Sequence, residues 1–281
     1  MHPNNVVVSA HGVPMPGIIY GTAWKKERTA DLVEQAIGLG FRGIDTACQP
    51  KHYHEEGVGK ALVAVERKGI KRQELYLQSK FTPLSGQDSL RLPYNPTARL
   101  SEQVAQSFQR SLENLHTTYL DGLILHSPLA QREEMREVWT AMEAIYANHG
   151  ARQLGISNCY DQQQLETLVQ SVKVKPAVIQ NRFYQQTRYD RSIRAYCQRQ
   201  GIIYQSFWTL TANPKVLAHT TLYHLTKKYL RTAAQVFFRY LSLRNIIPLT
   251  GTSSAAHMQE DLAIFDFSLS ADECAAIDAL L

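Results

Sequence analysis

The sequence predicts an α/β fold: a (β/α)8 TIM barrel preceded by an N-terminal β-hairpin. Three observations predict it. Short β-rich runs alternate with stretches of helical period nearly end to end, which is the pattern of parallel βα units. Eight such units fill 281 residues without a linker, an internal repeat or a low-complexity segment, and barrels of this length commonly form one domain. A doubly wound sheet, the other architecture this alternation allows, carries Gly-x-Gly-x-x-Gly after an early strand, and this chain does not. The expectation is a single barrel domain over residues 1–281.

Taken in order, "NVVVSA" and "MPGIIYGTA", split by "HGVP", form the hairpin and run into the first barrel strand. The apolar residues of "TADLVEQAIGLG" recur at helical spacing, and Gly40 marks the end of that helix. Strand "RGIDTA", helix "EEGVGKALVAVERKG" and strand "LYLQSKF" follow, then a long polar insert and helix "SEQVAQSFQRSLENLH". Strand "GLILHSP", helix "REEMREVWTAMEAIYANHG", strand "ARQLGISN" and helix "DQQQLETLVQSV" continue the alternation. Strand "AVIQNRF", helix "RSIRAYCQRQG", strand "IIYQSFW", two helical segments through "LRTAAQVFFRYLSLRN", strand "NIIPLTG" and helix "SAAHMQEDLAIF" complete it.

A hydrophobic share of 44% and a charged share of 20% supply a core and exclude a disordered chain. The formal charge of +5 is spread along the chain, without a basic tail or a Lys/Arg stripe interleaved with aromatics, which speaks against nucleic-acid binding. Cys48, Cys159, Cys197 and Cys274 lie far apart with no Cys-x-x-Cys pair, the usage of reduced, buried thiols. The apolar run in "MHPNNVVVSAHGV" is too short for a signal peptide, and no stretch reaches the length of a membrane span, so the expected location is cytoplasmic.

Barrel chemistry sits at the C-terminal ends of the strands. Applied as a filter, that rule selects Asp45, Lys80, His126, Asn158 and Gln180, polar residues that a folding pattern alone does not require. An acid, a lysine, a histidine and the nearby Tyr53 make a coherent proton-transfer site. A free phenol ionises near pH 10, and a neighbouring ammonium lowers that value. Lys80 is thus expected to tune Tyr53, Asp45 to keep Lys80 charged, and His126, as a neutral donor, to orient a carbonyl oxygen.

At these residues the chain resembles the aldo-keto reductase family. "GFRGIDTA…HYHEEGVGKAL", "LQSKF", "YLDGLILHSP", "QLGISN", "AVIQNRF", "IIYQSFWTL", "AAQVFFRYL" and "FDFSLS" are similar to that family's blocks, in order and over nearly the whole chain. The resemblance implies an NAD(P)H-dependent barrel reductase whose tetrad is Asp45, Tyr53, Lys80 and His126. It implies that Ser157, Asn158 and Gln180 hold the nicotinamide carboxamide, that Phe207 stacks on the ring, and that Trp24 lines the substrate pocket. The remaining cofactor contacts that it implies are Thr22, Thr209, Leu210, Thr250, Gly251, Thr252, His257 and Asp261. The expected cofactor is NADPH, with NADH possible, and the expected partner is a small-molecule carbonyl compound.

Three departures from the family pattern stand out. "CQPKH" lengthens the loop between Asp45 and Tyr53, and the Glu-rich segment after it is one residue shorter. Where the family often has a lysine and then an arginine for the adenosine 2′-phosphate of NADP, this chain has Leu249 and, across a two-residue insertion, His257. "TGTSS" still offers hydroxyls and N–H groups ahead of a helix start, a phosphate setting. Without the long C-terminal loop of many relatives, substrate selection is expected to rest on Trp24 and on inserts such as "PLSGQDSLRLPYNPTARL".

Two other readings compete. "HYH" invites a zinc site at His52 and His54 with Glu55 and Glu56, as in metal-dependent barrel hydrolases, but the pair follows its strand instead of sitting on it, and the helix macrodipole accounts for two glutamates at a helix start. No metal is therefore expected. A non-catalytic, cofactor-sensing protein on the same fold is the other, and it has no use for a tyrosine-lysine-aspartate relay.

Overall fold

A computed structural model describes residues 6–281. β1 (Val6–Val8) pairs antiparallel with β2 (Pro14–Pro16), forming the expected hairpin; Asn5, placed in it by the sequence, lies outside the described residues. The chain then enters a closed barrel of eight parallel strands: β3 (Ile19–Gly21), β4 (Gly43–Asp45), β5 (Tyr76–Phe81), β6 (Gly122–Leu125), β7 (Leu154–Ser157), β8 (Val178–Arg182), β9 (Ile203–Phe207) and β10 (Ile246–Thr250), which pairs back to β3. Each strand is covered outside by the helix that follows it, so β5 and β10 are buried along their whole length, as parallel strands require.

The connecting helices follow the sequence periodicity: α1 (Thr29–Leu39), α2 (Glu55–Arg67), α3 (Leu100–Leu115), α4 (Arg132–Ala147), α5 (Gln162–Ser171) and α6 (Arg191–Gln200). Gly40 ends α1 with φ 125°, open to glycine and strained for other residues. Between β9 and β10 the expected two helical segments are three, α7 (Pro214–Leu217), α8 (Thr220–Tyr229) and α9 (Ala233–Leu243). α10 (Ala255–Leu262) is followed by α11 (Ala271–Asp278), a helix absent from the sequence reading although "SADE" carries its capping box, with Ser270 and Glu273 bonding each other's backbone.

"MPGIIYGTA" is not one strand. β2 ends at Pro16, which lacks the N–H to continue a ladder, and the chain bends before β3 begins at Ile19. That bend lays Met15, fully buried, among Ile19, Tyr76, Val178 and Ile203, the first residues of four strands, so the hairpin plugs the N-terminal end of the barrel. The large outer core lies between strands and helices. Among the described residues no helix is long and apolar enough to cross a membrane.

The contact between α2 and α3 depends on a missing side chain. A Cβ at Gly59 in α2 would stand 2.0 Å from the Asn114 carbonyl oxygen in α3, a backbone atom that cannot swing aside. Gly59→Ala is expected to lower the unfolding free energy by about 1–3 kcal/mol, read as a lower urea midpoint, because the two helices must part. An unchanged midpoint would show that they do not approach this closely.

Candidate active site

The C-terminal ends of the strands open on a cavity of about 950 Å³. Asp45, the last residue of β4, lines its base, and Lys80, the last residue but one of β5, stands against it, both buried. Lys80 Nζ donates to both Asp45 carboxylate oxygens at 2.7 Å and to the Thr46 carbonyl at 2.8 Å, so all three ammonium protons are used. Burial pulls the Lys80 pKa down from its ordinary value, and the Asp45 charge opposes that pull.

Asp45 is held as firmly as it holds. Its Oδ1 also accepts from Gln78 Nε2 at 2.7 Å and from Gln180 Nε2 at 2.9 Å. Gln78 and Gln205 exchange amide bonds at 2.8 and 3.0 Å, and Gln180 Nε2 donates to Gln205 Oε1 at 2.9 Å. Three glutamines from β5, β8 and β9 therefore close a polar layer inside the barrel around one carboxylate oxygen.

Tyr53 reaches this base from the lengthened loop. His52 N and Tyr53 N both donate to the Gln49 carbonyl, at 3.1 and 3.0 Å, so the extra residues are absorbed in a tight turn. The Tyr53 ring stands 5.0 Å from Lys80 Nζ and 5.9 Å from the His126 ring, edge to face. The expected lowering of the Tyr53 pKa is not what this arrangement produces. Burial pushes the phenol well up, and Asp45 pushes it the same way, because the Lys80 charge is already answered by the carboxylate and, among the described residues, Lys80 has no hydrogen bond to Tyr53.

His126 is held in its neutral form. Burial first, then the Lys80 and His52 charges, hold its pKa well below the ordinary imidazole range. Its Nδ1 lies 2.6 Å from the Thr82 hydroxyl, which can donate there and leave the ring proton on Nε2.

Of the other residues singled out from the sequence, Ser157, Asn158, Gln180, Phe207, Thr209, Leu210, Thr250, Gly251, Thr252, His257, Asp261 and Trp24 all line the cavity. Asn158 has φ 55°, a left-handed conformation that asparagine tolerates, and it donates to the His126 carbonyl at 2.9 Å. The Ser157 hydroxyl donates to the Gln180 carbonyl at 2.6 Å. Gln180 Oε1 has no partner among the described residues and is left to accept an amide N–H from a ligand. Thr22 is a correction. It is fully buried behind the wall, its hydroxyl donating to the Asp45 carbonyl at 2.9 Å, so it ties β3 to β4 instead of facing the cavity.

At the far end Thr250 donates to Asp261 at 2.7 Å, and Tyr20 donates to the Thr252 carbonyl at 2.8 Å. Burial raises the Asp261 carboxyl to about 6. Ser254 caps α10, whose N-terminus carries His257, and Lys25 Nζ donates to the Gly251 carbonyl. This set of hydroxyls, a helix start and a cation suits the phosphates of a dinucleotide.

The two histidines of "HYH" part company. His52 packs on Trp24 with ring centres 4.0 Å apart, while His54 faces the Lys26 carbonyl at 3.2 Å and Glu56 at 3.7 Å. Glu55, attributed to the macrodipole, is more than a helix-start charge. It is buried and accepts from Ser79 at 2.5 Å, Ser111 at 3.0 Å and Asn114 at 3.2 Å, joining α2 to β5 and α3. All four cysteines are free and buried.

Sequence reasoning missed Gln78, Gln205, Thr82, Lys25, Arg182 and Trp208. Gln78 and Arg182 were within reach, since they lie two residues from Lys80 and Gln180 and so share a strand face with them. Trp208, half-exposed at φ 56°, gave no such signal.

An eight-stranded barrel with a buried ammonium–carboxylate pair, a tyrosine and a neutral histidine at its mouth belongs to the class of cofactor-dependent barrel oxidoreductases. Comparison with known proteins gives the family: the model of the Aldo/keto reductase family matches residues 17–281, and this chain belongs to that family. A glyoxal reductase of Bacillus subtilis (strain 168) is 30% identical over 273 residues, 96% of this chain and 90% of the relative. An NADPH-dependent alpha-keto amide reductase of Saccharomyces cerevisiae is 28% identical over 283 residues, 92% of this chain and 84% of the relative. The crystal structure of an aldo/keto reductase from Brucella melitensis superposes with a TM-score of 0.83 at 26% identity, covering 98% of this chain and 99% of the other. The protein is an NAD(P)H-dependent oxidoreductase acting on carbonyl groups.

The low pKa of His126 has a measurable sign. The unfolded imidazole takes up a proton near pH 6.5 and the folded one only well below, so between those values the unfolded state binds more protons. The stability that His126 contributes is thus complete above pH 6.5 and is lost as the pH falls towards the folded value. Nitrogen-15 NMR is expected to show one neutral tautomer, protonated at Nε2, from pH 8 to 6; a doubly protonated ring at pH 6 would contradict it.

Proposed function

We propose that Tyr53 is the proton donor in reduction of an aldehyde or ketone by a single barrel domain that binds NADPH and also accepts NADH. The observation that carries this reading is the convergence of Tyr53, His126 and the Lys80–Asp45 pair on one cavity. When bound, the nicotinamide supplies the hydride that adds to the carbonyl carbon. The carbonyl oxygen lies against His126 Nε2–H and the Tyr53 hydroxyl, and the charge growing on it is met by those two donors. A raised pKa keeps Tyr53 protonated through the neutral range, which is the form that the reduction consumes. As the proton leaves, the phenolate forms 5.0 Å from an ammonium whose charge Asp45 shares, so it is a strong base that is reprotonated between turnovers. Asp45, fixed by two glutamines, keeps Lys80 in place without touching substrate.

Ser157, Asn158 and Gln180 hold the carboxamide, with Gln180 Oε1 as acceptor, and Phe207 covers the ring. Thr209, Leu210, Thr250, Gly251, Thr252, His257 and Asp261 hold the phosphates and adenosine. Trp24 and His52 form the outer wall against the substrate.

Tyr53→Phe removes only the hydroxyl. It is expected to lower kcat for carbonyl reduction by roughly 10²–10⁴-fold while NADPH affinity holds. His52→Ala and His54→Ala together are expected to retain much of the turnover. A Tyr53→Phe enzyme at close to the parent rate would remove Tyr53 from the mechanism.

Preference for NADP over NAD is expected to be modest, since a buried Leu249 stands where the family's lysine holds the 2′-phosphate and Glu260 and Asp261 add negative charge at that end. Acid removes one of these charges: Asp261, raised to about 6, loses it as the pH falls. Fluorescence titration of both cofactors should show NADP favoured increasingly from pH 8 to pH 6. A steep preference that ignored pH would place the phosphate on other residues.

A further inference from the structure

Arg182, the last residue of β8, is a half-buried cation in the wall of this cavity, and it forms no ion pair among the described residues. Period-2 geometry puts it on the same face as Gln180, one step nearer the mouth. Its guanidinium carbon stands 4.1 Å from the centre of the Trp208 ring and 5.3 Å from that of Tyr184, so the planar group is held between two aromatic faces. Its backbone is fixed as well, with the N–H on the Tyr160 hydroxyl at 3.1 Å.

What is missing is an acceptor. Among the described residues the Arg182 side chain makes no ion pair and donates no hydrogen bond, and its Nε is buried without a partner. Arg72, at the opposite end of the barrel, shows the contrast: its guanidinium bonds Asp121, Thr117 and the Leu75 and Tyr119 carbonyls. The carboxylates that share the cavity with Arg182 are engaged elsewhere or at the cofactor end, Asp45 with Lys80 and Asp261 with Thr250. An unbonded buried donor costs folding free energy, which stacking on Trp208 offsets only in part. A rigid fork of donors with nothing to hold is complementary to a carboxylate or a phosphate.

We propose that Arg182 binds an oxyanion carried by the substrate, which makes this a reductase of anionic carbonyl compounds: 2-oxo acids, or aldehydes bearing a carboxylate or a phosphate. The inference rests on the reading of this cavity as the site of carbonyl reduction. The phosphates of the cofactor share the same chemistry, and the experiment separates the two sources.

The test compares a carboxylate-bearing carbonyl with its neutral methyl ester, 4-carboxybenzaldehyde against methyl 4-formylbenzoate, in the parent enzyme and in Arg182→Gln and Arg182→Lys. The parent is expected to prefer the carboxylate. Arg182→Gln is expected to lower the ratio of kcat/KM for acid over ester by a factor of roughly 30 or more, chiefly through KM, with Arg182→Lys recovering part of it because the charge stays and the fork is lost. NADPH and NADH titrations of Arg182→Gln form the second arm. Loss of cofactor affinity, with both substrates suffering alike, assigns the oxyanion to the cofactor and overturns the proposal. A parent that reduces both aldehydes without favouring the acid overturns it while leaving the function standing; a parent that reduces neither with either cofactor overturns both.

Discussion

The buried pair of Lys80 and Asp45 is the constraint on which the rest of the site depends. An ammonium taken fully out of water is tolerated only if a charge and hydrogen bonds replace the water, and here two carboxylate oxygens and one carbonyl do so. Removing either partner leaves the other uncompensated, so the pair commits β4 and β5 to one register, with Asp45 opposite Gln78. Gln78, Gln180 and Gln205 extend that commitment across the barrel. They fill the barrel interior with amides, of which Gln78 in β5 and Gln180 in β8 donate to Asp45 while Gln205 in β9 links those two, so the carboxylate is held from two strands and braced by a third. The barrel's core and the floor of the cavity are thus one structure.

Around that fixed base the remaining groups are placed by neighbouring elements. The turn from Gln49 to Tyr53 absorbs the longer loop and sets the phenol over the ammonium. Glu55, two residues further on, anchors the start of α2 to Ser79 of β5 and to Ser111 and Asn114 of α3. Since Ser79 is the residue before Lys80, the loop that carries Tyr53 and the strand that carries Lys80 are tied together on both sides. The insert after β5 is tied in as well, with Tyr94 and Gln87 donating to the Thr82 carbonyl while the Thr82 hydroxyl meets His126.

The rim is where strain collects. Trp24 and Trp208 hold φ values of 64° and 56°, a conformation that costs a bulky side chain on the order of 1–3 kcal/mol, and both stand partly in solvent beside the cavity. Each has a partner that keeps it there: His52 for Trp24, and Arg182 for Trp208. The mouth therefore has two aromatic walls, one of them carrying a positive charge.

The sequence by itself determined the eight βα units and the chemical character of the site. Strand and helix periods are local, and the strand-end rule then groups Asp45, Lys80, His126 and Gln180 at one mouth without any coordinates. It also determined the family, through ordered blocks along the chain. Only the tertiary structure decided what those residues touch. Gln78 and Gln205, 127 residues apart, meet because the barrel closes. Thr22 is drawn behind the wall because β3 and β4 pair beside it, and Glu55 is buried because α3 folds over it. The direction of the Tyr53 pKa belongs here too: a lysine beside a tyrosine predicts a lowered value, but the charge that would lower it is neutralised by Asp45, and solvent exclusion then prevails. Pattern along a chain specifies the face on which a side chain lies; its partners, and the water it loses, are specified by elements far away in sequence.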